Sequence, residues 1–192
     1  MTHIEPTPEQ DPWSGLREAL RRAASALAAE GRPFALAGSY ALWVHGAPEP
    51  LHDVDLVVEG SDADAVAETL TRAGFTVERP LESWLLKAYW NGALVDVLHR
   101  VNGVPVDAAL IEGSQTYDVL AIPMRVLSPT TALTQKLLAL TEHHCDFEPL
   151  LPRLRAVREQ VDWPRLREVT KDNDFAAALL FLADRLGITP TA

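Results

Sequence analysis

Two carboxylates two residues apart, Asp53 and Asp55, open the apolar, β-branched run that ends at Val58. In a strand, residues i and i+2 project from one face, so this spacing sets the pair side by side. Carboxylates that close repel, and the pair is unfavourable unless a cation sits between them. All-oxygen ligation favours the hard ions Mg2+ and Mn2+. A third carboxylate, Asp96, interrupts the apolar pattern of Leu94, Val95, Val97 and Leu98 and needs a partner there. If its strand adjoins the first, three carboxylates converge. Such a set can hold two metal ions about 4 Å apart, the geometry of in-line phosphoryl displacement. One ion lowers the pKa of an acceptor hydroxyl; the other holds a triphosphate and stabilises the departing pyrophosphate. Gly38-Ser39 is the complementary piece. A glycine lets the backbone approach a phosphate, and free N–H groups at a helix start attract anions. Each part has an ordinary alternative: Asp-x-Asp as a solvated strand end, Gly-Ser as a helix cap, Asp96 as a satisfied structural carboxylate. Their conjunction is what points to an active site.

The block from Leu36 to Gly46, containing Gly38-Ser39 and His45, followed by Asp53-Val-Asp55 and by Asp96, resembles the DNA-polymerase-β-type nucleotidyltransferase superfamily. Within it, the chain is similar to two branches. One is the aminoglycoside-type adenylyltransferases; the other is the AbiEii/MenT-type nucleotidyltransferases, several of which are toxins of toxin–antitoxin systems. The resemblance spans about residues 34–150 and is most specific in its first block. It implies transfer of a nucleoside monophosphate from an NTP to an acceptor hydroxyl, dependent on Mg2+ or Mn2+. By that resemblance Asp53 and Asp55 match the metal-binding pair. Asp96 matches the third carboxylate, which through the metal helps activate the acceptor. Gly38 and Ser39 match the phosphate-contacting turn. In the toxin branch a lysine opening the C-terminal helical region and a downstream aspartate also serve the site; Lys136 and Asp146 are the nearest matches. The chain departs from the pattern at Glu49, where relatives often carry a basic residue after the His-Gly pair, and at Pro149, where relatives have a second acid.

The short chain, the helical tail bearing Lys136 and Asp146, and an arginine cluster favour the toxin branch. The expected acceptor is then an RNA end such as the tRNA 3′ terminus, with an antitoxin protein as a further partner. A small-molecule acceptor such as an aminoglycoside is the alternative, and the acidity of the chain and Glu49 suit it. A non-catalytic nucleotide- or partner-binding module is a third reading.

Other residues carry weaker signals. Lys136 lies among the apolar Leu133, Leu137 and Leu140, and is either a snorkelling lysine or a cation for the triphosphate. His143 and Asp146 share a helix face, but no second ligand pair stands elsewhere at metal-site spacing. Asp146 reads better as the cap of a following helix. Lys87 lies on a strand with Trp84 and Trp90, as a surface lysine or a phosphate contact. Arg153, Arg155, Arg158, Arg165 and Arg167 form the one basic concentration. They are either a solvated face balanced by Glu159 and Glu168 or a patch that tracks RNA phosphates.

The elements that must position these residues follow from periodicity. Leu16, Leu20, Ala23, Ala24 and Leu27 predict a helix over 13–30, ended by Gly31. A buried strand follows over 34–37, then a helix over 39–45 with Ser39 near its N-cap. A strand is expected over 53–58, a helix over 62–73 capped by Ser61, and strands over 75–78, 83–90 and 93–99. Asn91-Gly92 predicts that the last two form a hairpin. Residues 101–121 carry no clear period, and 123–127 reads as a strand. Ser128-Pro129 predicts an N-cap with proline at the first helical position. Helices are expected over 129–144, 147–159, 164–171 and 174–186. The fold class is α+β: a small mixed β-sheet core over 1–127, with a disordered lead-in over 1–12, and a C-terminal helical bundle over 128–192.

Composition bounds what the chain can be. Its 192 residues carry a formal net charge of −10, which argues against a general nucleic-acid coating protein while allowing a local basic patch. The single Cys145 permits neither an intrachain disulfide nor a cysteine-based zinc site. The polar start has no signal-peptide pattern and no stretch is long enough to span a membrane, so a soluble, cytoplasmic protein is expected.

Overall fold

The computed structural model describes residue 11 and residues 13–190. The expected lead-in falls almost entirely outside them. Helix α1 (Ser14–Ala29) buries Leu16, Leu20, Ala23, Ala24 and Leu27, the stripe its periodicity announces. Strand β1 (Ala35–Leu36) and helix α2 (Gly38–Val44) follow, then β2 (Asp53–Val57), α3 (Ala63–Arg72), β3 (Thr76–Glu78), β4 (Leu85–Trp90) and β5 (Ala93–Leu98). Residues 101–121, featureless by period, form a two-stranded hairpin of β6 (Arg100–Val101) and β7 (Val104–Pro105), helix α4 (Ala108–Glu112) and strand β8 (Gln115–Val119). Strand β9 (Ile122–Val126) completes the strands. After it come α5 (Pro129–Leu138), α6 (Leu150–Val157), α7 (Trp163–Thr170) and α8 (Asp174–Arg185).

Seven strands form one mixed sheet in the order β3-β4-β5-β2-β1-β9-β8. The pairs β2–β5 and β1–β9 are parallel and the rest antiparallel. Alternation along the strands gives the sheet two unlike faces. Val54, Leu56, Val95, Val97, Leu86 and Ala88 are buried on the side that α1 and α3 cover. Asp53, Asp55, Leu94, Asp96, Leu98 and Lys87 are only half-buried on the other. Asn91 and Gly92 adopt φ of 47° and 84° and join Trp90 to Ala93 in the expected tight hairpin. The core is continuous: Leu133, Leu137, Leu154, Leu166 and Leu179 of the helical half belong to the same buried cluster as the sheet. Among the described residues no helix is long and apolar enough to cross a membrane.

Three local expectations differ. Ala37, not Ser39, stands at the N-cap of α2, because the chain leaves β1 extended at Ala37 and turns into the helix at Gly38. Ser61 lies inside a 3-10 turn, Gly60–Asp62, with no side-chain cap. The helix expected over 129–144 stops at Leu138. Asn173 intercepts it there: its Nδ2 donates to the carbonyls of Leu138 (3.4 Å) and Leu140 (3.0 Å), satisfying groups a longer helix would have used. Ser128 caps α5 as expected, accepting from the Thr131 N–H at 3.2 Å with Pro129 behind it.

Candidate active site

The register of β2 on β5 decides the geometry. Asp55 lies directly opposite Asp96, and Asp53 is two residues back on the same face. Each of the three offers a carboxylate oxygen within 4.8 Å of the others. The three carboxylates therefore converge, as the sequence requires of a metal-binding set.

Gly38 closes one side of this cluster. Its φ is +57°, and a Cβ placed on it would stand 1.7 Å from Oδ2 of Asp55. The glycine is thus demanded twice, by the left-handed backbone and by the carboxylate packed against it. Ser39 is buried beside Asp55 at 8% exposure, and its backbone N–H favours the ionised carboxylate.

The electrostatics are those of a site awaiting positive charge. Burial raises the Asp55 carboxyl to about 6; the charges of Asp53 and Asp96 add to this, while Lys136 and the Ser39 backbone oppose it. Asp96 is also raised, first by burial, with Lys87 pulling the other way. Lys87 faces Asp96 across β4–β5, and its Nζ lies 3.3 Å from Oδ1. Lys136 projects from the last turn of α5 into the same cavity. Burial lowers its pKa, and the charges of Asp55 and Asp53 resist that.

The cavity over the carboxylates measures about 700 Å3 and is lined by Gly38, Asp53, Asp55, Asp96 and Lys136 together with Trp84, Leu98, Arg100 and Gln135. Every site residue expected from the sequence is therefore gathered here except Ser39, which lies just behind Gly38, and Asp146. Asp146 is exposed and absent from the lining; its Oδ1 accepts from the Glu148 N–H at 3.0 Å, a turn leading into α6. Glu49, the departure after His-Gly, lies outside the cavity too. Arg17 of α1 grips it through Nε (2.8 Å) and Nη2 (2.5 Å), and Tyr40 donates to it at 3.3 Å. At 8% side-chain exposure it ties α1 to α2. His45 donates from Nε2 to the Leu127 carbonyl at 3.1 Å and lines a separate cavity.

The arginine cluster divides. Arg158 pairs with Glu159 and Arg167 with Asp184, as a solvated face would. Arg153 does not: it feels the charge of Asp53 and acts on Lys136, its Nη1 donates to the Pro149 carbonyl at 2.6 Å, and its buried Nε has no partner among the described residues. Sequence reasoning also passed over Arg100, on the β6–β7 hairpin. The signal was present in Asn102-Gly103, the same dipeptide that marks the β4–β5 turn, here with φ of 51° and 79°.

No family model and no curated protein sequence matches the chain. Solved structures do. The solution structure of the antibiotic-resistance factor ANT(2'')-Ia aligns with a TM-score of 0.51 at 14% identity, over 89% of this chain and 92% of that one. The crystal structure of ANT(2'')-Ia in complex with adenylyl-2''-tobramycin gives 0.50 at 15%, over 90% and 93%. An antigenic nucleotidyltransferase-like protein from Paracoccidioides brasiliensis gives 0.50 at 17%, over 86% and 92%. The chain has the α+β fold that nucleotidyltransferases use.

Proposed function

We propose that the protein is a nucleotidyltransferase that moves a nucleoside monophosphate from an NTP to an acceptor hydroxyl. The observation that carries this is the convergence of Asp53, Asp55 and Asp96 beneath Gly38, on a fold that nucleotidyltransferases share. The residues fit a divalent ion: three carboxylates that each offer an oxygen within 4.8 Å of the others, two of them with pKa values raised. Mg2+ or Mn2+ held by Asp53, Asp55 and Asp96 would supply charge neutralisation for the triphosphate and acidify the acceptor hydroxyl.

The protein's own groups then have distinct tasks. The glycine turn at Gly38 lets the Asp55 carboxylate pack against the backbone at the cavity wall, and Lys136 offers a point charge to phosphate oxygens in the cavity. Asp96, oriented through Oδ1 by Lys87, takes the acceptor proton. The acceptor oxygen forms a bond to the α-phosphorus, the bond to the β-phosphate oxygen breaks, and pyrophosphate leaves.

For the acceptor, an RNA end such as the tRNA 3′ terminus is the preferred reading, with the protein acting in the cell as a toxin held in check by an antitoxin. The toxin-branch lysine, Lys136, lies in the cavity and supports it. An aminoglycoside acceptor is the second reading, favoured by the likeness to ANT(2'')-Ia over most of both chains. The two separate when the protein is incubated with labelled NTPs and Mg2+, once with total tRNA and once with an aminoglycoside panel. Label is expected on RNA; label on the small molecules alone would overturn that choice. Asp53→Ala is expected to abolish transfer with the fold intact by circular dichroism. In cells, induced expression should arrest growth and the Asp53→Ala chain should not.

A further inference from the structure

The carboxylates occupy only part of their cavity. Its other wall is made by Trp84, Leu98, Arg100 and Val101. Leu98 follows Asp96 at i+2 on the open face of β5, so this wall begins where the third carboxylate ends. Trp84 is 42% exposed, the one tryptophan of the chain left in the open. It is nonetheless anchored: its carbonyl accepts from the N–H groups of His99 (3.1 Å) and Arg100 (3.3 Å), which binds Trp84 and Arg100 together at the end of the β4–β5 pair. The hairpin that carries Arg100 is in turn fixed to α5, where Asn102 Nδ2 donates to the Gln135 carbonyl at 2.9 Å. An exposed indole and an exposed guanidinium are thus held on rigid backbone beside Asp96.

The charge on this wall selects among acceptors. Among the described residues, the carboxylates lining the cavity are Asp53, Asp55 and Asp96, all three assigned to the metal site. The remaining charged side chains are Arg100 and Lys136, with Lys87 beside Asp96. Glu49, which would suit a cationic acceptor, is locked onto Arg17 elsewhere. A polycationic sugar therefore meets cations and no free acid. A planar ring with a phosphate attached meets an indole to stack on and a guanidinium to hold its charge.

We propose that Trp84 and Arg100 form the acceptor subsite and that it takes the terminal nucleotide of a single-stranded RNA: base on the Trp84 indole, phosphate on Arg100, free hydroxyl toward Asp96. This rests on the nucleotidyltransferase reading above and names its acceptor. The test is fluorescence anisotropy of a fluorescein-labelled, single-stranded RNA with a free 3′ hydroxyl, titrated with the full chain in Mg2+ without NTP. Trp84→Ala is expected to weaken binding about tenfold or more, whereas Trp84→Phe keeps it within about threefold. Arg100→Met lowers the dependence of affinity on salt by about one unit of slope. In turnover, Trp84→Ala raises KM for RNA and leaves KM for NTP unchanged. Equal RNA affinity in the wild type and Trp84→Ala overturns the subsite. So does a rise confined to KM for NTP, which assigns the indole to the base of the nucleotide donor, and so does tobramycin binding that Trp84→Ala abolishes. Failure of the underlying reading has its own signature, in which the wild-type chain labels no RNA, and the subsite falls with it.

Discussion

Gly38 and Asp55 show how closely backbone and charge are fitted at the centre of the site. With φ of +57° and a carboxylate where a Cβ would go, Gly38→Ala must displace Asp55. A shift of that kind at the reacting centre is expected to lower kcat/KM about a hundredfold. The fold should lose at least about 1–2 kcal/mol, the ordinary cost of an L-residue in the left-handed region, with the displacement of Asp55 adding to it, measurable by urea denaturation. Asp55→Asn should separate function from stability in the opposite sense. The native carboxyl titrates near 6, against an ordinary value of 3.8. Between these, the unfolded chain has ionised while the folded one still holds its proton, so the wild type loses stability as pH rises from about 4 to 6. The neutral asparagine escapes that loss. In metal-free buffer Asp55→Asn is expected to be about 3 kcal/mol more stable than wild type above pH 6, with the advantage gone below pH 4, and to have no turnover. Denaturation midpoints across that range, with and without Mg2+, check both the sign and the window; added Mg2+ should stabilise only the wild type.

Among the elements, α5 has the most consequential position, because it delivers Lys136. Its far end is set by Asn173, which donates to the carbonyls of Leu138, the last residue of α5, and of Leu140 beyond it, and accepts from the Ala176 N–H at 2.9 Å to cap α8. One side chain thus ends one helix and begins another. Asn173→Ala is expected to cost about 1–3 kcal/mol by equilibrium denaturation, more than an exposed cap alone. It should also raise KM for NTP through loosened placement of Lys136. The same residue explains part of what the sequence could and could not tell. Apolar spacing announced α1 and β2, Asn91-Gly92 the hairpin of β4 and β5, and Ser128-Pro129 the start of α5, since each is written in neighbouring residues. The end of α5 is written 35 residues away, in Asn173, and no local pattern contains it. The converging carboxylates were legible because their chemistry is carried by residue type and, for Asp53 and Asp55, by i, i+2 spacing. Arg100 and Trp84 were not, because what brings them to the cavity is pairing across β4–β5 and the Asn102 tether to α5. Asp146 shows the converse: a match by order along the chain that the turn before α6 leaves on the surface.

For the molecule as a whole, the continuity of its core decides how the two halves behave. Leu133, Leu137, Leu154, Leu166 and Leu179 close over the same apolar cluster that the sheet and α1 build. The split at residue 127 therefore marks a change of architecture, and we propose that it is not a break in cooperativity. The full chain should unfold in one transition by calorimetry and by circular dichroism at once. A fragment of residues 1–127 should bind the fluorescent dye ANS and lack a sharp transition, having lost the cover of its core.

The parallel pairing of β1 with β9 has a temporal side. Ala35 meets Arg125 and Leu36 meets Val126, so the strand leading into the glycine turn lacks one of its neighbours until synthesis has advanced some ninety residues. Lys136 emerges later still. A growing chain thus carries Asp53, Asp55 and Asp96 before the strand that leads into Gly38 has its second neighbour.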